Sequence, residues 1–184
     1  MSAHLNTEAV RSFPCFSDLT EAEAVAAMEA FRTVELAAGD RLFAQGDAGD
    51  SVYLIAAGQV DVLVDIDGKA DDHVVSTLER GAIFGEMSLL LQEPRSATAV
   101  AHTAATLWEI SAAAYQAAVD AEQPWVYKFM CATAHALARR LSTLDRKLSD
   151  LISAEAQPEA PVAGAARVAE LESLRTRLFS EWSF

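Results

Sequence analysis

The segment Phe84-Gly-Glu-Met-Ser-Leu-Leu-Leu-Gln-Glu-Pro-Arg-Ser-Ala-Thr-Ala99 carries the strongest chemical signal in the chain. Gly85 permits close approach of the backbone to a bound group, and residues 86–91 can form a helical turn whose first N–H groups point at an anion. Arg95 can place two N–H donors on phosphate oxygens, whereas the carboxylate of Glu86 suits a sugar hydroxyl. Phosphate and ribose side by side indicate a nucleotide.

The chain around this segment consists of short β-rich runs separated by glycines. From Arg32 to Ile110 the runs are RTVEL, RLFA, SVYLIAA, QVDVLVD, HVVSTL, SATAVA and ATLWEI. Asp67-Gly68, between the fourth and fifth runs, is typical of a tight hairpin turn. We therefore expect an α+β fold built on an antiparallel β-roll, a jelly-roll-like barrel with flanking helices.

Helices are predicted on both sides of the β-rich region. Thr20 and Glu23 have the spacing of a capping box at the start of a short helix. The residues available for its buried face are Leu19, Val25, Met28 and Phe31. Farther along, Ser111 can cap the helix AAAYQAAV, and Pro124 suits the first turn of a second, long helix.

Apolar residues of the long helix repeat with heptad spacing. They are Met130, Ala134, Leu137, Leu141, Leu144, Leu148 and Leu151. Strict alternation of steps of four and three is typical of paired helices, so residues 130–151 predict a parallel homodimer. A helix packed on its own barrel is the alternative.

The composition changes again after Ile152. Residues 153–166, SAEAQPEAPVAGAA, lack apolar periodicity and predict a linker. Residues 167–184 predict a small amphipathic helix. Its apolar stripe consists of Val168, Leu171, Leu174, Leu178 and Trp182. The expected parts are thus a β domain with its N-terminal helix (1–122), a dimerisation helix (123–152), the linker and the C-terminal helix, which would dock on the barrel or on a protein partner.

Charge and length argue against several classes of function. The chain has 184 residues, with 14 Lys and Arg against 27 Asp and Glu and a net charge of −13. Such a surface repels phosphate backbones and anionic lipids, and the sequence has no membrane-length apolar run and no signal-like N-terminus. The residues beyond Ile152 are too few for a linker plus a three-helix DNA-reading domain. We expect a cytoplasmic protein without nucleic-acid or membrane partners.

Catalytic and metal-binding signatures are missing from the sequence. Cys15 and Cys131 are too few for a thiolate cluster, and neither a Gly-x-Ser-x-Gly elbow nor a Cys–His nucleophile pattern occurs. The histidines are scattered without the paired spacing of a metal site: His4, His73, His102 and His135. The prediction is a protein that is not an enzyme and holds no metal.

The segment from Phe84 to Ala99 resembles the phosphate-binding cassette of the cyclic nucleotide-binding domain family. The likeness extends from about Phe13 to Ile152. It includes three turn glycines, Gly39, Gly46 and Gly58. The long helix is similar to the dimerisation helix of the catabolite activator branch of that family. The resemblance implies a cyclic nucleotide as ligand and a sensor domain as the fold.

The resemblance also implies roles for individual residues. Arg95 would clamp the cyclic phosphate, Glu86 would bind the ribose 2′-hydroxyl, and the N–H groups of Gly85 and Ala97 would complete the cradle. The candidate ligand-binding residues of the cassette are Gly85, Glu86, Met87, Ser88, Arg95, Ser96 and Ala97, with Ser88 and Ser96 as hydroxyl contacts. Val62, Val75 and Leu78 resemble positions that line the purine and ribose pocket. The alternative is that Glu86 and Arg95 form an ion pair that ties a corner of the barrel together.

The sequence departs from the family at the positions that would contact the base. Where the activator-like branch has a Thr-Ser pair on the long helix, this chain has Leu144 and Asp145, with Thr143 just before. Asp145 could accept hydrogen bonds from the ring N–H and exocyclic amine of guanine, or from the exocyclic amine of adenine. A solvated position on the helix is the alternative. Thr143 and Asp145 are the candidate base contacts, and both cAMP and cGMP are open as ligands.

The favoured function is that of a dimeric sensor of a cyclic purine mononucleotide, cAMP or cGMP. It would relay ligand binding to a protein partner through residues 167–184 and would not be a DNA-binding transcription factor. One alternative is a small cupin-like β-barrel metalloenzyme, which needs metal ligands that the sequence does not supply. The other is a structural dimer with a vestigial nucleotide site, against which the intact Glu86 and Arg95 argue.

Overall fold

Two antiparallel sheets form the centre of the fold in the computed structural model, which describes residues 5–65 and 72–155. The strands are β1 (Arg32–Leu36), β2 (Arg41–Phe43), β3 (Ser51–Ala57), β4 (Val60–Asp65), β5 (Asp72–Leu78), β6 (Ile83–Phe84), β7 (Thr98–Ala101) and β8 (Ala105–Ser111). One sheet has the order β1-β8-β3-β6 and the other the order β2-β7-β4-β5. Each predicted run contains a strand, and the α+β class with a jelly-roll-like arrangement is confirmed.

Within the described ranges, the two sheets of this roll do not pair with each other to close a barrel. The short strand β6 was not predicted by the sequence patterns. It has only two residues and forms the edge of its sheet. Directly after it, Gly85 has φ +78, a left-handed conformation that suits glycine and turns the chain into a helix. The sheet therefore ends at a strand of two residues, directly before the cassette helix α3 (Glu86–Leu91).

The predicted hairpin flanks are paired. β4 and β5 run antiparallel from Val60 opposite Leu78 to Asp65 opposite Asp72. The Asp67-Gly68 turn itself lies outside the described residues. β4 also pairs with β7, which brings the strand after the cassette next to the hairpin.

The helices are α1 (Thr7–Arg11), α2 (Glu21–Ala30), α3 (Glu86–Leu91), α4 (Ala112–Asp120) and α5 (Pro124–Glu155), with a 3-10 helix at Pro14–Phe16. The predicted capping box is present, because Thr20 N–H donates to the Glu23 carboxylate at 2.7 Å and Glu23 N–H donates to the Thr20 hydroxyl at 3.3 Å. Ser111 caps α4 by accepting from Ala114 N–H at 3.2 Å. Pro124 is the first residue of α5, as predicted.

The predicted buried face of α2 is partly wrong. Leu19 and Phe31, which flank the helix, are buried, but Val25 is 36% exposed. The residues of the helix that are buried are Ala24 and Ala27. The reason is that alanines occupy several faces of EAEAVAAMEA, so the larger apolar residues alone do not determine the packed face.

An aromatic core lies between the helices and the first sheet. Phe13 packs edge-on against Trp108, with ring centroids 5.0 Å apart, and Phe16 stacks on Phe129 at 6.3 Å. Trp125 and Phe129 of the first turns of α5 are fully buried in this core. The chain divides into two compact units, residues 1–136 and 137–184, so the division falls inside α5 and its first turns belong to the first unit.

Helix α5 ends three residues later than predicted, because residues 153–155 of the expected linker are helical. The Ser153 hydroxyl donates to the Ser149 carbonyl at 2.8 Å, and Ala and Glu are compatible with a continuing helix. The rest of the linker and the predicted helix 167–184 lie outside the described residues. Within the described ranges, no helix combines the length and apolar character that crossing a bilayer would require.

The heptad residues of α5 differ in exposure within the single chain. Met130 is 43% exposed, Leu144 57% and Leu151 56%, while Leu137 and Leu141 are half-buried. Large apolar side chains left in solvent on one helix are consistent with helix pairing. The homodimer itself stays a prediction.

Candidate functional site

Arg95 is a buried cation at the end of the cassette. The residue is 4% exposed, and its Nη1 donates to the carbonyl oxygens of Ser51 and Gly85, both at 2.9 Å. Within residues 5–65 and 72–155, Arg95 forms no ion pair with a carboxylate, and its Nε has no hydrogen-bond partner. An ion pair between Glu86 and Arg95, the alternative named above, is therefore not present among the described residues. A buried charge in this state is costly unless a further group compensates it.

Aromatic rings surround the guanidinium of Arg95. Its central carbon lies 4.3 Å from the ring centroid of Phe43 and 5.6 Å from that of Tyr53. Tyr53 in turn stacks on Phe84, with centroids 5.4 Å apart. Phe43 belongs to β2 in one sheet, whereas Tyr53 and Phe84 belong to β3 and β6 in the other. The guanidinium thus lies where the two sheets meet, and the ring faces attract its charge.

The backbone of Arg95 is held by the turn that follows β2. Arg95 N–H donates to the Asp47 carbonyl at 2.8 Å, and the Arg95 carbonyl accepts from Gly46 N–H at 2.8 Å. Nearby, Gln45 N–H donates to the Thr98 hydroxyl at 3.0 Å. These bonds fix the position of Arg95 on the β-roll even though it lies in an irregular segment before β7.

Two glycines allow the backbone to approach Arg95 closely. A Cβ on Gly49 would lie 2.3 Å from the Ser88 Cβ and 3.0 Å from the Arg95 Nε. A Cβ on Gly85 would lie 2.8 Å from the Arg95 Nη1. Since real side chains do not approach so closely, the turn after β2, the start of α3 and Arg95 can come together only with glycine at these positions.

The structure brings the remaining cassette candidates together around this centre. Glu86 and Ser88 are buried in α3, at 2% and 3% exposure. Met87 is 42% exposed, and the Ser96 hydroxyl lies 3.7 Å from its sulfur. Ala97 is half-buried. Residues on either side of the α3 loop are therefore neighbours in space, as the resemblance implies.

The three proposed pocket-lining residues differ in their burial. Leu78 of β5 packs against the cluster that contains Tyr53 and Phe84. Val62 of β4 is half-buried, whereas Val75 of β5 is 48% exposed. Of the three, Leu78 is therefore the residue packed against the rings of the cluster that includes Tyr53, which lies beside Arg95.

The two candidate base contacts lie on α5, in the second unit of the chain. The Thr143 hydroxyl donates to the Arg139 carbonyl at 2.9 Å, and Asp145 is half-buried. Contact of either residue with a base stays a prediction.

A polar network extends from Tyr53 to the protein surface. The Tyr53 hydroxyl donates to the Glu109 carboxylate at 3.1 Å, and the same carboxylate accepts from Arg32 Nε at 2.7 Å and from Arg32 Nη2. Burial, followed by the charge of Glu109, raises the pKa of Tyr53 to about 12. Tyr53 therefore remains a protonated donor at neutral pH, and its hydrogen bond fixes the ring that lies beside Arg95.

Phe43, Gly49, Ser51 and Tyr53 are the site residues that sequence reasoning missed. Gly49 carried a signal, since it lies in a dense turn pattern, Gly46-Asp-Ala-Gly49-Asp. Phe43, Ser51 and Tyr53 look like ordinary strand residues, and nothing local links them to an arginine so much later in the chain.

A surface cleft of about 740 Å³ borders the cassette on the side of α4. Its lining includes Gly49, Ser88, Glu93 and Tyr115 but not Arg95. The cleft therefore shares Gly49 and Ser88 with the candidate site and does not include Arg95. Among the described residues, no group of three or more His, Cys, Asp or Glu side chains is arranged to hold a metal ion.

Comparison with known proteins matches residues 33–122 to the family model "Cyclic nucleotide-binding domain". A cAMP-dependent protein kinase regulatory subunit from Dictyostelium discoideum is 38% identical over 101 residues, which are 55% of this chain and 31% of that protein. The corresponding subunit from Mucor circinelloides is 42% identical over 74 residues, which are 40% of this chain and 17% of that protein. The chain therefore spans about a third or less of these relatives.

Solved structures give the same likeness. The catabolite activator protein of Thermus thermophilus aligns with a TM-score of 0.64 and 35% identity, covering 77% of this chain and 64% of that one. A cyclic nucleotide-binding domain from Methylobacillus flagellatus aligns with a TM-score of 0.67 and 28% identity, covering 78% and 81%. The regulatory domain of Toxoplasma gondii PKA, solved with cAMP, aligns with a TM-score of 0.52 and 29% identity, covering 60% and 42%.

Proposed function

We propose that this chain senses a cyclic mononucleotide and relays its binding to a protein partner, because residues 33–122 belong to the cyclic nucleotide-binding domain family. The observation that carries the proposal is the guanidinium of Arg95. It is buried and forms no ion pair with a carboxylate in the described part of the chain. A cyclic phosphate would supply the missing negative charge.

The donors of Arg95 are divided in a way that suits this role. Both of its described hydrogen bonds use Nη1, whereas its Nε is buried without a hydrogen-bond partner among the described residues. The Nε–H and Nη2–H donors of one guanidinium edge form the fork that grips two phosphate oxygens. We assign the cyclic phosphate to this edge and to the N–H groups of Gly85 and Ala97.

The other candidates receive the rest of the nucleotide. Glu86 is assigned to the ribose 2′-hydroxyl, with Met87, Ser88 and Ser96 around it in the cassette. Val62, Val75 and Leu78 are assigned to the apolar wall. Thr143 and Asp145 are assigned to the base.

The relatives support cAMP as the first ligand to test, since they are named as cAMP-dependent kinase regulatory subunits and one structural neighbour was solved with cAMP. Asp145 makes cGMP the second ligand to test, because a carboxylate pairs with two donors of guanine but only one donor group of adenine. No metal is required for either ligand.

A protein partner is supported by the same relatives, because a regulatory subunit acts on another polypeptide. We propose that residues 167–184 contact the partner and that residues 130–151 form a homodimer covering the exposed Leu144 and Leu151. The chain is then a cytoplasmic regulatory protein without catalytic activity of its own, and neither nucleic acid nor membrane is a partner.

Isothermal titration of the full chain with cAMP, cGMP and cyclic di-GMP tests the ligand class. One cyclic mononucleotide is expected to bind per chain, whereas cyclic di-GMP and the linear control 5′-AMP are expected to bind much more weakly. The order of the two mononucleotides identifies the preferred base. Absence of binding by both would contradict the proposal.

A further inference from the structure

The orientation of the Arg95 guanidinium is not fixed by its hydrogen bonds alone. Both described bonds are made by one nitrogen, Nη1, to the carbonyls of Ser51 and Gly85. Among the described residues, no hydrogen bond is made by Nε. Contacts on the faces of the guanidinium are therefore a further constraint on the direction of the Nε–H edge.

The ring of Phe43 supplies that constraint. It is the nearer of the two rings beside the guanidinium, at 4.3 Å from the central carbon compared with 5.6 Å for Tyr53. A cation within about 6 Å of a ring centroid is attracted to the ring face, and the attraction grows when water is excluded. Since Arg95 is 4% exposed, the contact is shielded from water.

The backbone at Phe43 is also irregular. β2 pairs with β7 through Arg41 opposite Val100 and Phe43 opposite Ala99, so the register shifts between Arg41 and Phe43. Such bulges change the direction of a side chain relative to a regular strand, and they occur often beside functional sites. An aliphatic residue at position 43 would still be apolar, but only an aromatic ring offers a face to a cation.

We propose that Phe43 is a positioning residue for ligand binding: its ring face holds the Arg95 guanidinium in the orientation that binds the cyclic phosphate. The inference rests on the proposed function. It adds to the cassette a residue from the other sheet, so that the phosphate contact depends on how the two sheets meet. Phe43 itself needs no contact with the nucleotide.

Replacement of the ring should weaken binding by lowering the fraction of protein with Arg95 correctly placed. For Phe43→Leu, which keeps an apolar side chain, we expect a rise in the Kd for cAMP of about ten- to thirty-fold, the range given by a shielded cation–π contact. Phe43→Tyr keeps the ring face and should bind nearly as tightly as the wild type.

The matched control is Phe13→Leu. Phe13 also lies beneath an arginine, with the Arg80 guanidinium carbon 4.5 Å from its ring centroid, and it is buried in the helical core. Its loss should lower stability while leaving the Kd for cAMP unchanged, which separates positioning from general destabilisation.

The experiment measures two quantities for the wild type and the three variants: the Kd for cAMP by calorimetry, and the NMR signal of the Arg95 Nε–H group without nucleotide. The wild type and Phe43→Tyr should show an Nε–H signal displaced by the ring current, and Phe43→Leu should lose that displacement together with affinity. If Phe43→Leu is unfolded by circular dichroism, Phe43→Met replaces it.

Wild-type affinity in Phe43→Leu, or an equal loss of affinity in Phe13→Leu, would overturn the positioning role while leaving the proposed function intact. An unchanged Nε–H signal in Phe43→Leu would also overturn it. A wild type that binds neither cAMP nor cGMP would remove the proposed function, and the positioning role with it.

Discussion

A Cβ placed on Gly49 would lie 2.3 Å from the Cβ of Ser88, closer than two carbon atoms of packed side chains approach. The same atom would lie 3.0 Å from the Arg95 Nε. A glycine is therefore required at position 49, because the turn after β2 packs there directly against the start of α3. Changes at Gly49 should therefore act on the candidate site by displacing Ser88 and Arg95.

Gly49→Ala is expected to lower the free energy of unfolding by about 1–3 kcal/mol, the usual cost of overpacking. It should also weaken nucleotide binding about ten-fold or more, because misplacing a binding group is costly. Adding Ser88→Gly removes the nearest clashing atoms, so Gly49→Ala should cost much less affinity in the Ser88→Gly background than in the wild type. Titration calorimetry and urea unfolding measure both effects. Wild-type affinity in Gly49→Ala would contradict this prediction.

Arg95→Ala should weaken cyclic nucleotide binding by several kcal/mol, since each hydrogen bond to a charged group contributes about 1.5–3 kcal/mol. Glu86→Ala should weaken it less. The control is Arg80→Ala, because the Arg80 guanidinium also lies over a ring, that of Phe13, and donates to the Ser12 hydroxyl at 2.7 Å. Equal calorimetric affinities of Arg95→Ala and the wild type would mean that the phosphate binds elsewhere.

Asp145→Ala tests the base contact. If Asp145 pairs with the ring N–H and amine of guanine, its loss should reduce affinity for cGMP more than affinity for cAMP, by about 1 kcal/mol or more. Asp150→Ala is the control, since Asp150 is an exposed carboxylate on the same helix. Competition titrations with both nucleotides give the ratio. An equal loss for both, or no loss, would show that Asp145 does not read the base.

Leu141→Glu should dissociate the homodimer predicted for residues 130–151. The substitution buries a charge against the partner helix, at a cost of several kcal/mol. Ser142→Glu, at the next residue and exposed, should leave the dimer intact. Multi-angle light scattering at micromolar concentration gives the masses. A wild type that is monomeric under these conditions would contradict the prediction.

The raised pKa of Tyr53 makes stability depend on alkaline pH. Burial, together with the nearby charge of Glu109, raises this pKa to about 12, above its ordinary value of 10.0. The folded state then holds the phenol proton more tightly than the unfolded state, so the contribution is complete below pH 10 and is lost as pH rises toward 12. Urea unfolding between pH 8 and 12 should therefore show a steeper loss for the wild type than for Tyr53→Phe.

Tyr127→Phe is the control for that experiment, because Tyr127 is 49% exposed on α5. It should retain the wild-type slope of stability against pH. Identical slopes for Tyr53→Phe and the wild type would mean that Tyr53 does not titrate differently in the two states.

Much of the fold was predictable because its signals are local. Alternating strand residues, the Thr20–Glu23 capping box and the Ser111 cap depend on neighbours within a few positions, and all of them are present. α2 was harder, since alanine packs against a core without marking a side of the helix, and Val25 was misassigned for that reason.

In the candidate site, too, local features were predictable from the sequence and long-range contacts were not. Gly85, Glu86 and Arg95 could be grouped from the sequence because they lie in one short motif, and in the structure Arg95 donates to the Gly85 carbonyl directly before Glu86. The sequence did not predict the groups that surround Arg95. These are the Ser51 carbonyl, the Phe43 ring, and the Glu109 carboxylate that accepts from Tyr53. Each comes from a different strand, and the contacts exist only after the sheets have assembled.

If Arg95 binds a cyclic phosphate as proposed, its buried charge, which has no ion-pair partner among the described residues, would link the amount of this protein to the nucleotide concentration. Folding without an anion has to offset the cost of burying that cation, and a bound cyclic phosphate removes the cost. A ligand present at a hundred times its Kd adds about 2.7 kcal/mol to the stability of a folded protein. Chains without nucleotide would unfold more often and be degraded faster, so a falling nucleotide level would reduce the number of sensors as well as their occupancy.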